Sequence, residues 1–384
     1  MRSVHPAPSP AVSPSNNDAD QPRPIVWKGR ASVSNHESRF NRLRHEPEEA
    51  ASETVADDAP GAPVTEVRVE IARSIISSNR SPDLPFDRSI NPYRGCEHGC
   101  VYCYARPSHT YLGLSAGLDF ETKIFAKTNA AELLRKELGR ADHVRSMIAL
   151  GANTDPYQPA EKRLRITRSV LQVLSEFEHP ITITTKSALV ARDIDVLAPM
   201  AAKDLVKVFI SVGTLDADIA RTMEPRANSP QRRIQAIAQL SQAGIPAGVI
   251  VAPIVPALTD PDLERVLEAA AGAGARFASY VVLRLPMEVA DLFVEWLQTH
   301  YPLRAAHVMS LIRQMRDGRN NDSTFGLRMS GTGPLADLIR RRFDIACKRL
   351  GLNTERVKQR EQAAQAPAVA LAPAAPDPQM SLFE

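Results

Sequence analysis

Asn91-Pro92-Tyr93-Arg94-Gly95-Cys96-Glu97-His98-Gly99-Cys100-Val101-Tyr102-Cys103-Tyr104-Ala105-Arg106 sets three thiols within eight residues, at the spacing C-x3-C-x2-C. The segment directly follows a candidate strand at 88–91. So tight a loop can bring three thiolates around one inorganic centre, because cysteine ligates iron-sulfur clusters and soft metals as the deprotonated sulfur. Gly95 and Gly99 let the backbone turn tightly around it. The loop holds no fourth thiol. A structural 4Fe-4S or zinc site takes four protein ligands, whereas an iron left open binds a substrate or cofactor. The remaining cysteine, Cys347, falls on an amphipathic helical pattern, where it reads as a small buried hydrophobe. His98 or His109 would complete a Cys3His zinc site, but the usual second pair of ligands is missing from the sequence.

Around this loop, from about residue 66 to 331, short β-branched runs alternate with longer helical patterns, the signature of βα units and a parallel sheet. The expected strands are 88–91, 146–150, 181–185, 206–212, 247–251 and 277–283. The expected helices are 130–138, 166–177, 229–242, 260–271 and 288–298, with Pro261 suiting a helix start. Six such repeats fit an incomplete (β/α) barrel. A further helix over 334–350 carries the stripe Leu335, Leu338, Ile339, Phe343, Ala346, Cys347 and Leu350, closed by Gly351.

The chain has 384 residues and a formal charge of +3, long enough for a core without covalent staples. That near-balance hides a basic stretch: residues 304–360 hold 13 Lys or Arg against five Asp or Glu. Nine of the 30 prolines lie in residues 1–63 and four more after Glu361, in segments rich in Ala, Ser and acidic residues that read as disordered tails. Within the first, 25–30 and 38–42 are aromatic and basic islands able to dock on the domain or on a partner. The N-terminus lacks the apolar core of a secretory signal, and the cysteines do not form a disulfide framework, so a cytoplasmic location is expected. Residues 234–259 carry no charge, but Pro246, Pro253 and Pro256 break the run into a helix end, a turn and a buried strand rather than a membrane span.

The pattern Cys96-x3-Cys100-x-Tyr102-Cys103 resembles the cluster loop of the radical S-adenosylmethionine (SAM) superfamily. The wider Asn91-Pro-Tyr-Arg-Gly-Cys to Cys-Tyr-Ala-Arg106 resembles its branch related to spore photoproduct lyase, a DNA-repair enzyme. The resemblance covers roughly residues 67–350. It implies an α/β fold, an incomplete (β/α)6 radical-SAM-type barrel over 67–330, with a basic helical segment at 331–360. Disordered tails at 1–66 and 361–384 flank these. It also implies a 4Fe-4S cluster on Cys96, Cys100 and Cys103, with the methionine amine and carboxylate of SAM on the fourth iron. Reductive cleavage then gives a 5′-deoxyadenosyl radical that abstracts hydrogen from a substrate, with flavodoxin or ferredoxin as reductant.

By the same resemblance, the strand ends offer cofactor contacts, as such barrels carry their reactive groups on loops at that end. Tyr102 lies in the loop itself. After 146–150 comes Gly151-Ala-Asn153-Thr154-Asp155-Pro-Tyr157-Gln158, where the superfamily often has Gly-Gly-Glu for the methionine amine. Asn153, Thr154 or Asp155 could substitute, or Asp155-Pro156 is simply a turn. Lys186 stands where the methionine carboxylate would lie, with a snorkelling surface lysine as the alternative. Ser211 resembles a further cofactor contact. Glu224 and Arg226, with Arg232 and Arg233 following, would orient a ligand or form a structural ion pair. Arg284, Arg313, Arg316, Arg319 and Arg328 are candidates for phosphate contacts. A thiol hydrogen donor of the lyase type is not evident, which leaves a tyrosine such as Tyr104 or Tyr157 for that role, or a different reaction.

The final residues, Gln379-Met-Ser-Leu382-Phe383-Glu384, resemble the short peptide with which bacterial replication and repair proteins dock on the DNA polymerase sliding clamp. Leu382 and Phe383 would fill an apolar pocket and Gln379 would bond its rim. The leading expectation is therefore a radical SAM enzyme acting on a DNA lesion or nucleotide, with no membrane partner. The alternatives are a non-catalytic metal-binding nucleic-acid module, or radical SAM chemistry on RNA or protein.

Overall fold

A computed structural model describes residues 26–40 and 63–354. Its main sheet contains β2 (Ile76–Ser78), β3 (Arg88–Ile90), β6 (Ile148–Leu150), β7 (Ile181–Thr185), β8 (Val206–Ser211), β9 (Ala247–Ile254) and β10 (Phe277–Val282). The order is β10-β9-β8-β7-β6-β3-β2. Six neighbouring strands run parallel and β2 closes one edge antiparallel to β3. All six expected strands are present, differing only at their ends. A smaller sheet, ordered β1-β5-β4, joins β1 (Glu66–Glu70), β4 (Tyr93–Arg94) and β5 (Lys123–Lys127) beside the cysteine loop.

The helices are α1 (Leu118–Thr122), α2 (Ala130–Leu138), α3 (Glu161–Leu164), α4 (Ile166–Glu176), α5 (Ile194–Ala202), α6 (Ala217–Met223), α7 (Pro230–Gln242), α8 (Leu263–Gly272), α9 (Val289–His300), α10 (Pro302–Gln314) and α11 (Gly333–Leu350). Local sequence explains their limits. Ser229 caps α7 by accepting the Arg232 N–H, and Pro230 opens the first turn, where no backbone N–H is needed. Gly351 ends α11 at φ 69°, the left-handed cap that glycine adopts freely. The helix expected from Asp260 starts later. Residues Asp260–Asp262 form a 3-10 turn, and α8 begins at Leu263.

Helices pack on the sheet through stripes at helical spacing: Ala130, Leu134 and Leu138 of α2, and Ile166, Val170, Val173 and Leu174 of α4. Cys347 belongs to this main core with Ala346 and Phe343, apart from the cysteine loop. A second apolar cluster centres on Phe293, Trp296 and Val308 of α9 and α10. It also takes in Val101 of the cysteine loop and Ala31 of the N-terminal segment.

The two ends of the main sheet are linked. Met329 O accepts the Val282 N–H at 2.9 Å along β10, while Arg328 reaches Asp83, in the loop between β2 and β3, with Nε to Oδ2 at 2.8 Å. A segment attached to the last strand thus bonds the loop after the first, as a curled, incomplete barrel allows. Among the described residues no helix is long and apolar enough to cross a membrane. Residues 234–259 form most of α7, a turn, β9 and the turn after it. The clamp-like peptide with Gln379, Leu382 and Phe383 lies outside the described residues, as do 1–25 and 41–62. Residues 26–40, inside the stretch expected to be a tail, pack on the body.

Candidate metal and cofactor site

The parallel strands β3 and β6 to β10 all end at one mouth, and the cysteine loop crosses it between β4 and α1. Its backbone winds through successive short turns: Gly99 N–H to Cys96 O at 3.2 Å, Cys103 N–H to Cys100 O at 3.2 Å and Arg106 N–H to Cys103 O at 3.1 Å. Gly95 and Gly99 have φ of 74° and 66°. A Cβ would come within 2.9 Å of Lys123 O at Gly95 and within 2.8 Å of Glu121 Oε2 at Gly99, so both conformation and space demand glycine.

Two buried side chains brace this loop. Arg106, fully buried, donates to Cys100 O at 2.8 Å, Gly99 O at 3.1 Å, and Ala116 O and Gly117 O at 2.9 Å each; it also forms a 2.5 Å ion pair with buried Glu121. Gln158 holds the other flank, accepting from Glu97 N at 3.0 Å and donating to Gly95 O at 3.2 Å. The N-terminal segment completes the support, since the Ala31 and Ser32 amides donate to the Glu121 carboxylate at 3.2 and 3.0 Å. Arg106 ends the sequence motif, but nothing local in the sequence pairs it with Glu121 or with residues 31 and 32.

Cys96, Cys100 and Cys103 are free thiols, the first two buried and the third half-buried, and Cys96 and Cys103 pack with Ala105 and Phe120. Burial pushes the Cys96 thiol up, as the neighbouring Asp155 and thiols do, and carries Cys100 to about 12. Thiolates here therefore need a bound cationic centre to offset their desolvation. His98 turns Nδ1 to Asp155 Oδ2 at 3.3 Å, and His109 sets Nε2 3.0 Å from Lys123 O. Among the described residues no three His, Cys, Asp or Glu side chains converge on a single ion. A cluster makes no such demand, since each cysteine ligates a different iron. The loop suits a 4Fe-4S cluster with one iron open.

Next to it lies a charged network. Lys186, half-buried at the end of β7, sets Nζ 5.7 Å from the centre of the Tyr102 ring. Burial opposes its charge, but Cys100, Glu224 and Asp155 outweigh that and hold its pKa above the usual lysine value. Tyr102 donates to Glu224, which pairs with Arg233. Arg233 also donates to Ser211 O at 3.0 Å and Asn228 O at 2.7 Å. Burial would raise the Glu224 pKa, but Arg233 and Lys186 overcome it and keep the carboxylate ionised. Of the two readings offered by sequence, Glu224 takes the ion pair, with Arg233. Arg226 pairs with Glu97 instead, at 3.1 Å.

Asp155 accepts from Thr185 Oγ1 and Lys186 N at 2.7 Å each and from Tyr157 N at 2.8 Å. Burial alone would raise its pKa, yet His98 and these donors bring it to about 2. Both carboxylate oxygens are thus engaged within the protein. Thr154 is likewise occupied, donating to Tyr93 O at 2.8 Å. Asn153 is exposed at the mouth, its backbone N–H on Asn91 Oδ1 at 2.9 Å. Ser211 is buried, donating to Ala252 O at 3.2 Å.

The arginines expected to meet phosphate divide. Arg316 is buried on the Leu327 and Leu283 carbonyls, and Arg328 pairs with Asp83. Further along, Arg340, Arg342 and Arg349 pair with Asp337, Glu264 and Glu268, which neutralises much of the basic stretch internally.

Comparison with known proteins agrees with this geometry. The radical SAM superfamily pattern matches residues 90–270. An uncharacterized protein of Mycobacterium tuberculosis is 38% identical over 233 residues, covering 60% of this chain and 68% of the relative. One of Methanocaldococcus jannaschii is 26% identical over 214 residues, covering 56% and 76%. Among solved structures, spore photoproduct lyase complexed with dinucleoside spore photoproduct superposes at a TM-score of 0.52 and 16% identity, over 74% of this chain and 80% of that one. A mutant of that lyase with bound AdoMet and the same dinucleoside gives 0.51 at 16% identity, with the same coverage. These structural likenesses concern the fold. With the superfamily pattern spanning the cysteine loop and the strands around it, the chain belongs to the radical SAM superfamily, enzymes of 4Fe-4S and S-adenosylmethionine chemistry.

Proposed function

We propose that Cys96, Cys100 and Cys103 each hold one iron of the 4Fe-4S cluster, and that the enzyme acts on a nucleic-acid lesion or a nucleotide. When bound, the cluster and SAM supply a 5′-deoxyadenosyl radical by one-electron reduction, and that radical abstracts hydrogen from the substrate. The observation that carries the reading is the cysteine loop at the strand-end mouth, with cationic Lys186 beside Cys100 and Cys103.

The residues divide the work. Lys186 offers the positive charge a methionine carboxylate needs, and its position is fixed by Asp155 through the backbone. Asn153, exposed two residues before Asp155, offers a polar side chain for the methionine amine, and Asp155 positions rather than binds. Tyr102, Glu224 and Arg233 form a wall beside Lys186 on the side of Ser211. Electrons come from a small carrier such as flavodoxin or ferredoxin. The nucleic-acid substrate rests on the lyase-like fold and on Arg284, which follows the last strand and stands over Tyr104 of the cysteine loop. Docking on a sliding clamp through Gln379, Leu382 and Phe383 would bring such an enzyme to DNA.

Anaerobic reconstitution, reduction and assay for 5′-deoxyadenosine test the chemistry, with Cys100→Ala as control. Product from the parent and none from the variant supports the reading. Cleavage that survives loss of the thiol sinks it. Adding damaged single-stranded DNA, RNA or protein then sorts the substrates: turnover on RNA or protein alone moves the activity to modification of those polymers.

A further inference from the structure

Arg284 follows β10, the last strand, and stands over the ring of Tyr104, with its guanidinium carbon 5.5 Å from the ring centre. Tyr104 is the residue after Cys103, is 47% exposed, and has its hydroxyl on Ala152 O. The guanidinium therefore overlooks the mouth directly beside the cluster loop.

Its partners do not satisfy it. Nη1 meets only the Met329 thioether, at 3.7 Å, and Nε is buried with no hydrogen-bond partner. A thioether is a weak acceptor for a guanidinium, which has five donors. Arg316 lies nearby with its own Nε unpartnered, and Arg328 has taken both oxygens of Asp83. Among the described residues no carboxylate lies within ion-pair distance of Arg284 or Arg316. Burial, with repulsion from Arg328, lowers the Arg284 pKa, as a cation short of a counter-charge should show. Beyond Arg328 the arrangement continues to exposed Phe325, whose ring centre is 4.8 Å from the Arg328 guanidinium carbon.

One cation without a counter-charge, with the exposed Tyr104 ring on one side and exposed Phe325 beyond the neutralised Arg328, matches what a short piece of nucleic-acid strand presents, a phosphate between bases. Guanidinium binds phosphate oxygens in a planar fork, and bases stack on aromatic rings at little cost in sequence preference. We propose that Arg284 is the anchor for a backbone phosphate of the substrate, with Tyr104 carrying the adjoining base at the cluster side. This rests on the nucleic-acid reading above and adds to it a residue and a requirement: the substrate must be anionic between its bases.

The test measures binding of dTpT and of its uncharged methylphosphonate analogue to the reconstituted full chain with SAM. Parent, Arg284→Gln, Arg284→Lys and the control Arg140→Gln, at an exposed arginine before β6 at the opposite end of the sheet, are compared. The parent should prefer dTpT by about tenfold or more, since charge-assisted hydrogen bonds are among the strong ones. Arg284→Gln should abolish the preference and lower the salt slope by about one, while Arg140→Gln leaves both unchanged. Arg284→Lys keeps the charge and the stem, and should retain the salt slope with weaker binding, a result readable even if the Gln variant fails to fold. Equal binding of the two dinucleotides to the parent overturns the phosphate anchor and leaves the nucleic-acid reading standing. Binding of neither sinks the nucleic-acid reading, and titration with inorganic phosphate then decides the anchor: binding lost in Arg284→Gln supports it, and no binding overturns it.

Discussion

Asp155 Oδ2 accepts the backbone N–H of Lys186 at 2.7 Å, so the loop after β6 sets the position of the cation at the end of β7. The same carboxylate holds Thr185, Tyr157 and His98. It therefore works as a joint between two strand ends and the cluster loop. A buried carboxylate with several donors cannot be removed without leaving those donors unsatisfied.

Asp155→Ala should accordingly destabilise the protein by about 3 kcal/mol and raise the SAM concentration needed for half-maximal cleavage. Asp155→Asn, which retains an acceptor, should recover part of the stability. Chemical denaturation and SAM titration read the two effects separately. If Asp155→Ala kept parent stability and lost only SAM affinity, the residue would be a ligand contact after all.

Gly99 makes a sharper demand. Its φ of 66° and the 2.8 Å that would separate an added Cβ from Glu121 Oε2 leave no place for alanine. Gly99→Ala should push the Glu121 carboxylate off the Ala31 and Ser32 amides and cost about 2 kcal/mol or more. Gly113→Ala, at a φ of 71° but with open space around it, is the comparison and should cost only the conformational part, about 1 kcal/mol. Equal losses at the two sites would remove the packing argument.

Glu121 joins the N-terminal segment to the cluster loop through Arg106. Glu121→Gln leaves Arg106 buried without its carboxylate, and breaking such a pair typically costs about 3–5 kcal/mol. The reconstituted variant should lose iron to a chelator faster than the parent. Deleting residues 1–40 should do the same more mildly, because Arg106 keeps its carbonyl partners. Iron release at the parent rate from both variants would show that the loop holds its shape unaided.

The six strands were legible because each is a local signal, a β-branched run such as Ile181–Thr185, and the cysteine loop stands out in the sequence by its thiol spacing. Helices α1, α3, α5, α6 and α10 escaped notice. Helix α5 is apolar around much of its surface and contains Pro199, so it lacks a contrasting polar face. Sites built across long sequence separations were also hidden. Glu121 meets Ala31 90 residues away, and Arg328 meets Asp83 245 away. Asp155 was found as a polar residue at a strand end, but its function as a joint depends on donors supplied by other strands and loops. Lys186 was found for the same reason, and its setting over Tyr102 could be seen only in three dimensions.

Acid should loosen the body through two buried histidines. Burial brings the pKa of His109 and of His179 down to about 4 from the ordinary 6.5, and His143, 3.2 Å from His179 across the ring nitrogens, adds repulsion at the second. Because the unfolded chain binds these protons near 6.5 and the folded chain only near 4, the unfolded state holds more protons between the two. Stability is therefore fully present above about pH 6.5 and falls as pH drops through that window towards 4. Each histidine accounts for about 3 kcal/mol by pH 4. Urea denaturation of the parent and His179→Gln at pH 7.5, 5.5 and 4 measures the effect. The variant, whatever its stability at pH 7.5, should lose about 3 kcal/mol less than the parent on acidification, since its side chain no longer takes up a proton. Parallel losses in the two proteins would mean that His179 takes up its proton equally in both states and that carboxylates govern the acid limb.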